Sequence, residues 1–266
     1  MASLTDASVE RLRMDVTDET SIKAAVDEIV EREGRIDILV NNAGMTCSGE
    51  LHSTLVRRSA HMNALFGDRA GPLVDVELER IKQTFDTNVF GTLRTAKAVI
   101  PHMAVRKSGT IVNIGSVVGE IPIPFAGIYS ASKAAVHSIT EALYMECLPL
   151  GISVVLVSAG AVRTNIVANM GTHFSVPPTT LYAEYANVIA YEFDPTRMAN
   201  ASATPPEDFA RAVVGKSLAK APVRVVVAGL GSSIMRILGW FPRGWVLRIF
   251  WSQLVEKQRT ALAKSK

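Results

Sequence analysis

The chain has 266 residues, 48% of them hydrophobic and 20% charged, a balance that suits one large α/β domain with a substantial core and excludes a disordered chain. Its net charge of +3, with no Lys/Arg run interleaved with aromatics, argues against a nucleic-acid partner. The two cysteines, Cys47 and Cys147, and five histidines form neither a disulfide framework nor a metal-ligand spacing, so a reducing, cytoplasmic setting without a metal site is expected. No secretory leader pattern opens the sequence, and no window reaches the ~18 apolar residues that would span a bilayer.

In chain order, Val9 to Met14 reads as a short strand ending at Asp15. Thr17 or Asp18 caps a helix that runs to about Glu33, where Gly34 stops it. A strand over Arg35 to Val40 leads into the turn Asn41-Asn42-Ala43-Gly44. Asp75 opens a long helix through Asn88 to about Met103, followed by an apolar strand from Thr110 to Ser116. A helix from about Tyr129 to Leu148 precedes the strand Ser153 to Val157. Pro205-Pro206-Glu207-Asp208 begins another helix, and Arg224 to Ala228 is the last strand. Strands alternating with helices of these lengths predict an α/β fold, a doubly wound parallel sheet of Rossmann type. Residues 1–229 form this domain, with a loop-rich stretch at 165–204, and residues 230–266 form an apolar, aromatic tail.

Tyr129 and Lys133 stand four residues apart, which puts phenol and ammonium on one helix face. A neighbouring cation favours the phenolate and lowers a pKa that is otherwise about 10, so the phenol can exchange a proton near neutral pH. Ser116, thirteen positions upstream of Tyr129, ends a strand, at the sheet edge where open α/β folds place ligands. Taken alone, the pair reads better as a surface Tyr and Lys on an ordinary helix.

It is accompanied by three further motifs: Asn41-Asn42-Ala43-Gly44 closing a strand, Asp86-Thr87-Asn88-Val89-Phe90-Gly91 in a helical pattern, and Ser158-Ala159-Gly160-Ala161-Val162-Arg163-Thr164 after a strand. In motif order and in its Ser–Tyr–Lys spacing the chain resembles the short-chain dehydrogenase/reductase family. The resemblance implies hydride transfer between NADP(H) and a ketone or secondary alcohol. It assigns Tyr129 as the proton donor, Lys133 as the group that tunes the phenol and holds the nicotinamide ribose, and Ser116 as donor to the carbonyl oxygen. Asn88 matches a fourth position, where a helix irregularity supports a proton relay. Cofactor contacts carry over to Asp15 (adenine), Asn42 and Gly44 (adenosine), and Val162 and Thr164 (carboxamide). Asp15 reads equally as a helix-capping acid, and Ala159-Gly160 stands where the family has Pro-Gly.

Two departures follow from the same comparison. Family members open with a strand and a Thr-Gly-x-x-x-Gly-x-Gly turn that meets the pyrophosphate at a helix N-terminus. Here Gly34, Gly44 and Gly49 are the earliest glycines and form no such motif. An incomplete sheet and weakened cofactor binding are therefore expected, with a non-catalytic remnant as the alternative. The second departure is the separation of Asn42 from Asn88, 46 positions, about twice the family spacing; residues 50–71 account for the excess and read as an insertion, with a retained intron as its expected source. The coenzyme selector lies after a strand this chain lacks, so NAD stays beside NADP. The tail, with Trp240, Trp245 and Trp251 among Arg236, Arg243 and Arg248, predicts peripheral membrane contact through 234–251, packing onto the domain or a homo-oligomer partner being the other reading. It resembles a fungal branch of the family that reduces 1-acyldihydroxyacetone phosphate with NADPH at the endoplasmic reticulum and lipid droplets; other fungal relatives reduce secondary-metabolite ketones.

Overall fold

The computed structural model describes residues 10–44, 71–163, 179–194, 203–219 and 222–264. The predicted insertion, apart from Gly71, most of 165–204 and Thr164 lie outside them. Asp18 caps α1 (Glu19–Glu33), its carboxylate accepting from the Thr20 backbone N–H, and Gly34 closes the helix in a left-handed conformation at φ 73°. Four parallel strands follow in the spatial order of the sequence: β1 (Ile38–Asn41), β2 (Gly109–Ile114), β3 (Ile152–Ala159) and β4 (Val225–Ala228). Between β1 and β2 run α2 (Leu78–Phe85), a π-helical turn (Asp86–Phe90) and α3 (Gly91–Arg106). A short α4 (Val117–Glu120) and the long α5 (Gly127–Cys147) join β2 to β3. Helices α6 (Ala186–Glu192) and α7 (Pro206–Ser217) lie between β3 and β4. The tail folds as α8 (Ser232–Leu238), α9 (Arg243–Trp251) and α10 (Lys257–Lys264), with Pro242 breaking the first from the second.

Alternation along the strands sorts side chains onto two faces. Ile111 and Val154 pack with Ile22 and Val26 of α1, Val99 and Met103 of α3 and Leu143 of α5. Val112, Val155, Val157 and Val226 face the other way, onto Val213, Phe209 and Ala212 of α7. β1 follows the first pattern with Leu39 packed on that core. Ile38 and Val40 point to the second face and are 41% and 52% exposed. Parallel sheets are ordinarily covered on both faces, and on the second face this edge is only partly covered.

Two sequence expectations are corrected. Residues 10–14 form no strand, and Leu12 and Met14 are exposed. β-propensity measures fit to a neighbouring strand, and none of the sheet's four strands lies beside this segment. The helix expected from Asp75 through Met103 is not continuous either. It starts as a 3₁₀ turn at Leu73–Asp75, becomes α-helical at Leu78, and is interrupted by the π turn over Asp86–Phe90. One extra residue in a turn leaves the apolar periodicity nearly intact, so sequence pattern does not register it.

A buried polar chain ties the layers together. Thr95 Oγ1 donates to Asn41 Oδ1 (2.6 Å), Asn41 Nδ2 to Asn113 Oδ1 (2.8 Å) and Asn113 Nδ2 to Thr140 Oγ1 (3.0 Å), linking α3, β1, β2 and α5. Asn113→Leu strands the Asn41 side-chain N–H, while Thr140 Oγ1 keeps its bond to the Val136 carbonyl. The stranded group costs roughly 1–3 kcal/mol, to be read as a lowered urea midpoint at unchanged slope.

Candidate active site

The carboxyl ends of β1, β2 and β3 deliver the predicted residues to one edge of the sheet. Ser116 follows β2 and caps α4 with extended backbone (φ −158°, ψ 150°), its Oγ accepting from Val118 N at 3.4 Å. Helix α5 begins two residues before Tyr129, so Tyr129 and Lys133 stand on consecutive turns. Lys133 Nζ lies 5.8 Å from the centre of the Tyr129 ring and donates to the Ile114 carbonyl at 2.9 Å. That carbonyl belongs to the last residue of β2, so the ammonium fixes α5 against the strand that carries Ser116. Lys133 is only 6% exposed, and burial lowers its pKa from 10.5 to about 8. It therefore remains a cation at neutral pH, beside the phenol.

Asn88 sits in the π turn and is buried. Its Nδ2 donates to Ser132 Oγ (3.0 Å), and Ser132 Oγ donates to the backbone carbonyl of Tyr129 (2.8 Å). The helix irregularity thus delivers an amide that braces the turn bearing the phenol. Ser132 was not singled out from sequence, although its place three residues after Tyr129 on the same helix is a usable signal.

The predicted cofactor contacts divide. Gly44 belongs with the site: a Cβ there would stand 3.4 Å from Lys133 Nζ and 3.7 Å from Asn88 Oδ1. Asn42, exposed at the same strand end, donates its N–H to Val40 O at 3.0 Å. Asp15 is engaged locally, its Oδ1 accepting from Thr17 N and Thr17 Oγ1 at 2.8 and 2.7 Å. It shapes the turn before α1 while Asp18 makes the cap, so the capping alternative falls to its neighbour. Val162 bridges to Thr204 and Ala161 to Leu230. Gly160 is demanded there, since a Cβ would fall 2.3 Å from the Leu230 carbonyl. Ala159, at the position of the family's proline, is held extended by pairing with Ala228 in β4.

A nicotinamide ribose fits this edge: Gly44 keeps a cradle open that any side chain would narrow, with Lys133 and Asn88 facing it. Among the described residues no glycine-rich turn opens a helix beside Asn42–Gly44, so a dinucleotide bound here would draw on them for its nicotinamide half and not for its diphosphate half. No group of three or more potential metal ligands occurs among the described residues. A groove of about 520 Å³ between α1 and α3, lined by Ile22, Lys23, Val26, Lys97, Ala98 and His102 among others, shares no residue with this cluster.

Residues 2–173 match the family profile described as short chain dehydrogenase, and the chain belongs to that family. Over 199 residues it is 31% identical to the NADPH-dependent 1-acyldihydroxyacetone phosphate reductase of Schizosaccharomyces pombe, covering 73% of this chain and 60% of the relative. It is 36% identical to the 3-ketodihydrosphingosine reductase of Bacteroides thetaiotaomicron over 60% of this chain and 52% of that one. The chain therefore spans little more than half the length of these two relatives. The short-chain dehydrogenase virD of Hypocrea virens is 32% identical over 90% of this chain and 74% of its own. A solved short-chain dehydrogenase from Streptomyces avermitilis aligns with 96% of this chain and 80% of its own at a TM-score of 0.64 and 26% identity.

The buried ammonium predicts a measurable pH dependence. Lys133 holds its proton less tightly folded than unfolded, so from pH 8 to 10.5 the unfolded chain binds more protons and this residue's contribution to stability rises with pH. Over that window the wild type should gain up to about 3 kcal/mol on Lys133→Met. Chemical denaturation at several pH values measures the difference, and a constant gap would contradict the burial of a cation.

Proposed function

We propose that the chain acts as an NADPH-dependent reductase of a lipid-type ketone. The observation that carries this reading is the pairing of half-buried Tyr129 with the buried Lys133 ammonium at the strand end that bears Ser116. Ser116 Oγ and the Tyr129 hydroxyl donate to the ketone oxygen, and as negative charge develops there the phenol releases its proton to it. Lys133 stabilises the phenolate left behind, and Asn88, through Ser132, keeps the Tyr129 turn from moving. The reduced nicotinamide, when bound, supplies the hydride that the carbonyl carbon takes up. In this reading Lys133, Asn88, Gly44, Asn42 and Val162 would hold its ribose and ring.

The choice of NADPH and of a lipid ketone is supported by the names of the S. pombe and B. thetaiotaomicron relatives, an NADPH-dependent reductase of an acyl-dihydroxyacetone phosphate and a reductase of a 3-keto long-chain base. The tail supports it independently. Trp240 is 89% exposed, and Ile234, Ile237, Phe241 and Trp245 are also exposed, with Arg236, Arg243 and Arg248 interspersed and no carboxylate between Leu230 and Trp251. Short helices that combine aromatics with arginine settle at an anionic lipid surface. No helix among the described residues is long and apolar enough to cross a membrane, so the contact is peripheral.

Calorimetric titration with NADPH, followed by its oxidation in the presence of 1-acyldihydroxyacetone phosphate, tests the reading. Tyr129→Phe should lower kcat by about 10²–10⁴-fold with NADPH affinity retained; turnover untouched by that change would sink it. The tail is tested by flotation: the chain should rise with phosphatidylserine-containing vesicles and lose this when Trp240 and Trp245 become alanine. Equal flotation of the double variant would remove the membrane contact.

A further inference from the structure

The face of α5 that carries Tyr129 and Lys133 continues one turn further to His137, at the same four-residue step. His137 Nε2 accepts a hydrogen bond from the Ser116 backbone N–H at 3.2 Å. The Nε2–Cδ2 side of the ring is pressed against the preceding residue, because a Cβ on Gly115 would fall 2.3 Å from Nε2 and 2.6 Å from Cδ2. The end of β2 is thus gripped at three consecutive residues: Lys133 Nζ holds the Ile114 carbonyl, the Gly115 N–H donates to Val157 O at 2.8 Å, and His137 holds the Ser116 N–H.

We propose that His137 is a positioning residue for the reductase reaction: as a neutral imidazole it fixes the backbone of Ser116, and its protonation releases that backbone and mis-aims the serine hydroxyl. The assignment rests on the functional reading above for the role of Ser116, while the hydrogen bond it invokes stands apart from catalysis. Only a deprotonated Nε2 can accept, so the bonded form carries its proton on Nδ1. A proton on Nε2 would point a second donor at the Ser116 N–H, with Gly115 pressed against the ring and little room to turn. The charged groups around the imidazole are Glu120 on α4 and Lys133 and Glu141 on α5, with Arg224, ahead of β4, 3.7 Å from Glu141. Burial lowers the imidazole pKa below 6.5 and Lys133 lowers it further, against Glu120 and Glu141, which raise it. At neutral pH the anchor is therefore in place, and it is lost as the medium turns acid. Gly115 has a reason in the same contact, since any side chain there displaces the ring.

The test has a spectroscopic arm and a kinetic arm on the full chain. In labelled protein the Ser116 amide resonance should move with the titration of the His137 ring proton, below pH 6.5, and this coupling should vanish in His137→Gln. An amide that ignores the histidine titration overturns the proposal, whether or not turnover is seen. In ketone reduction the wild type should lose kcat/KM on the same acid limb. His137→Gln, which keeps an acceptor that does not titrate here, should retain kcat within a few-fold and lose the limb. His137→Leu and Gly115→Ala should each lower kcat on the order of tenfold or more at all pH values, with NADPH affinity unchanged. An acid limb that survives in His137→Gln, or wild-type kcat in both His137→Leu and Gly115→Ala, rejects the role of His137 while leaving that of Tyr129 intact.

Discussion

A single ammonium buried at the end of a parallel strand organises this protein. Lys133 gives up water and receives in return the Ile114 carbonyl at 2.9 Å. Taking a cation out of solvent is costly unless it is bonded, and the cost appears as a pKa drawn down to about 8. A structure selected for stability alone would place an apolar residue there. The lysine is retained, in our reading, because a charge held in low dielectric acts strongly on the phenol one turn away. The surrounding features serve that placement: β2 ends where the lysine reaches it, and the π turn at Asp86–Phe90 swings Asn88 inward to brace the same turn through Ser132.

Much of the fold was legible from local chemistry. Asp18 and Gly34 mark the ends of α1 by their own conformational preferences, and the apolar runs at Thr110–Ser116 and Ser153–Val157 read as strands and carry β2 and β3. The Tyr129–Lys133 spacing places two groups on one helix face whatever surrounds them. What escaped the sequence depends on partners distant along the chain. Asn41 and Asn113 are separated by 72 positions and meet because β1 and β2 pair in a particular register. His137 looked like one more residue on an apolar helix until the end of β2 was laid against it. Of the strand expected at Val9–Met14, residues 10–14 are not strand for the converse reason: their composition suits one, but none of the described strands lies beside them. The π turn is invisible because one added residue hardly disturbs a helical pattern.

Ile38 and Val40 mark the less covered edge of the sheet. On the first face Leu39 is covered by the layer of α1, α3 and α5, whereas on the second no described helix reaches beyond the territory of α7. Apolar side chains of a parallel strand that face solvent mark surface suited to pairing or covering by further polypeptide. The cluster of Asn88, Ser132 and Lys133 lies instead against the end of β2 and the start of α5, where hydrogen bonds tie these elements together.

Ala161 carries a consequence for motion. It pairs with Leu230 at the root of the tail, its neighbour Val162 pairs with Thr204, and the backbones at Gly160 and Leu230 touch so closely that neither can slide independently. The segment that follows β3 and the root of the tail are thus tied together through backbone pairing. A displacement of either one therefore strains the pairing of the other, so the loop after β3 and the start of the tail behave as a single unit.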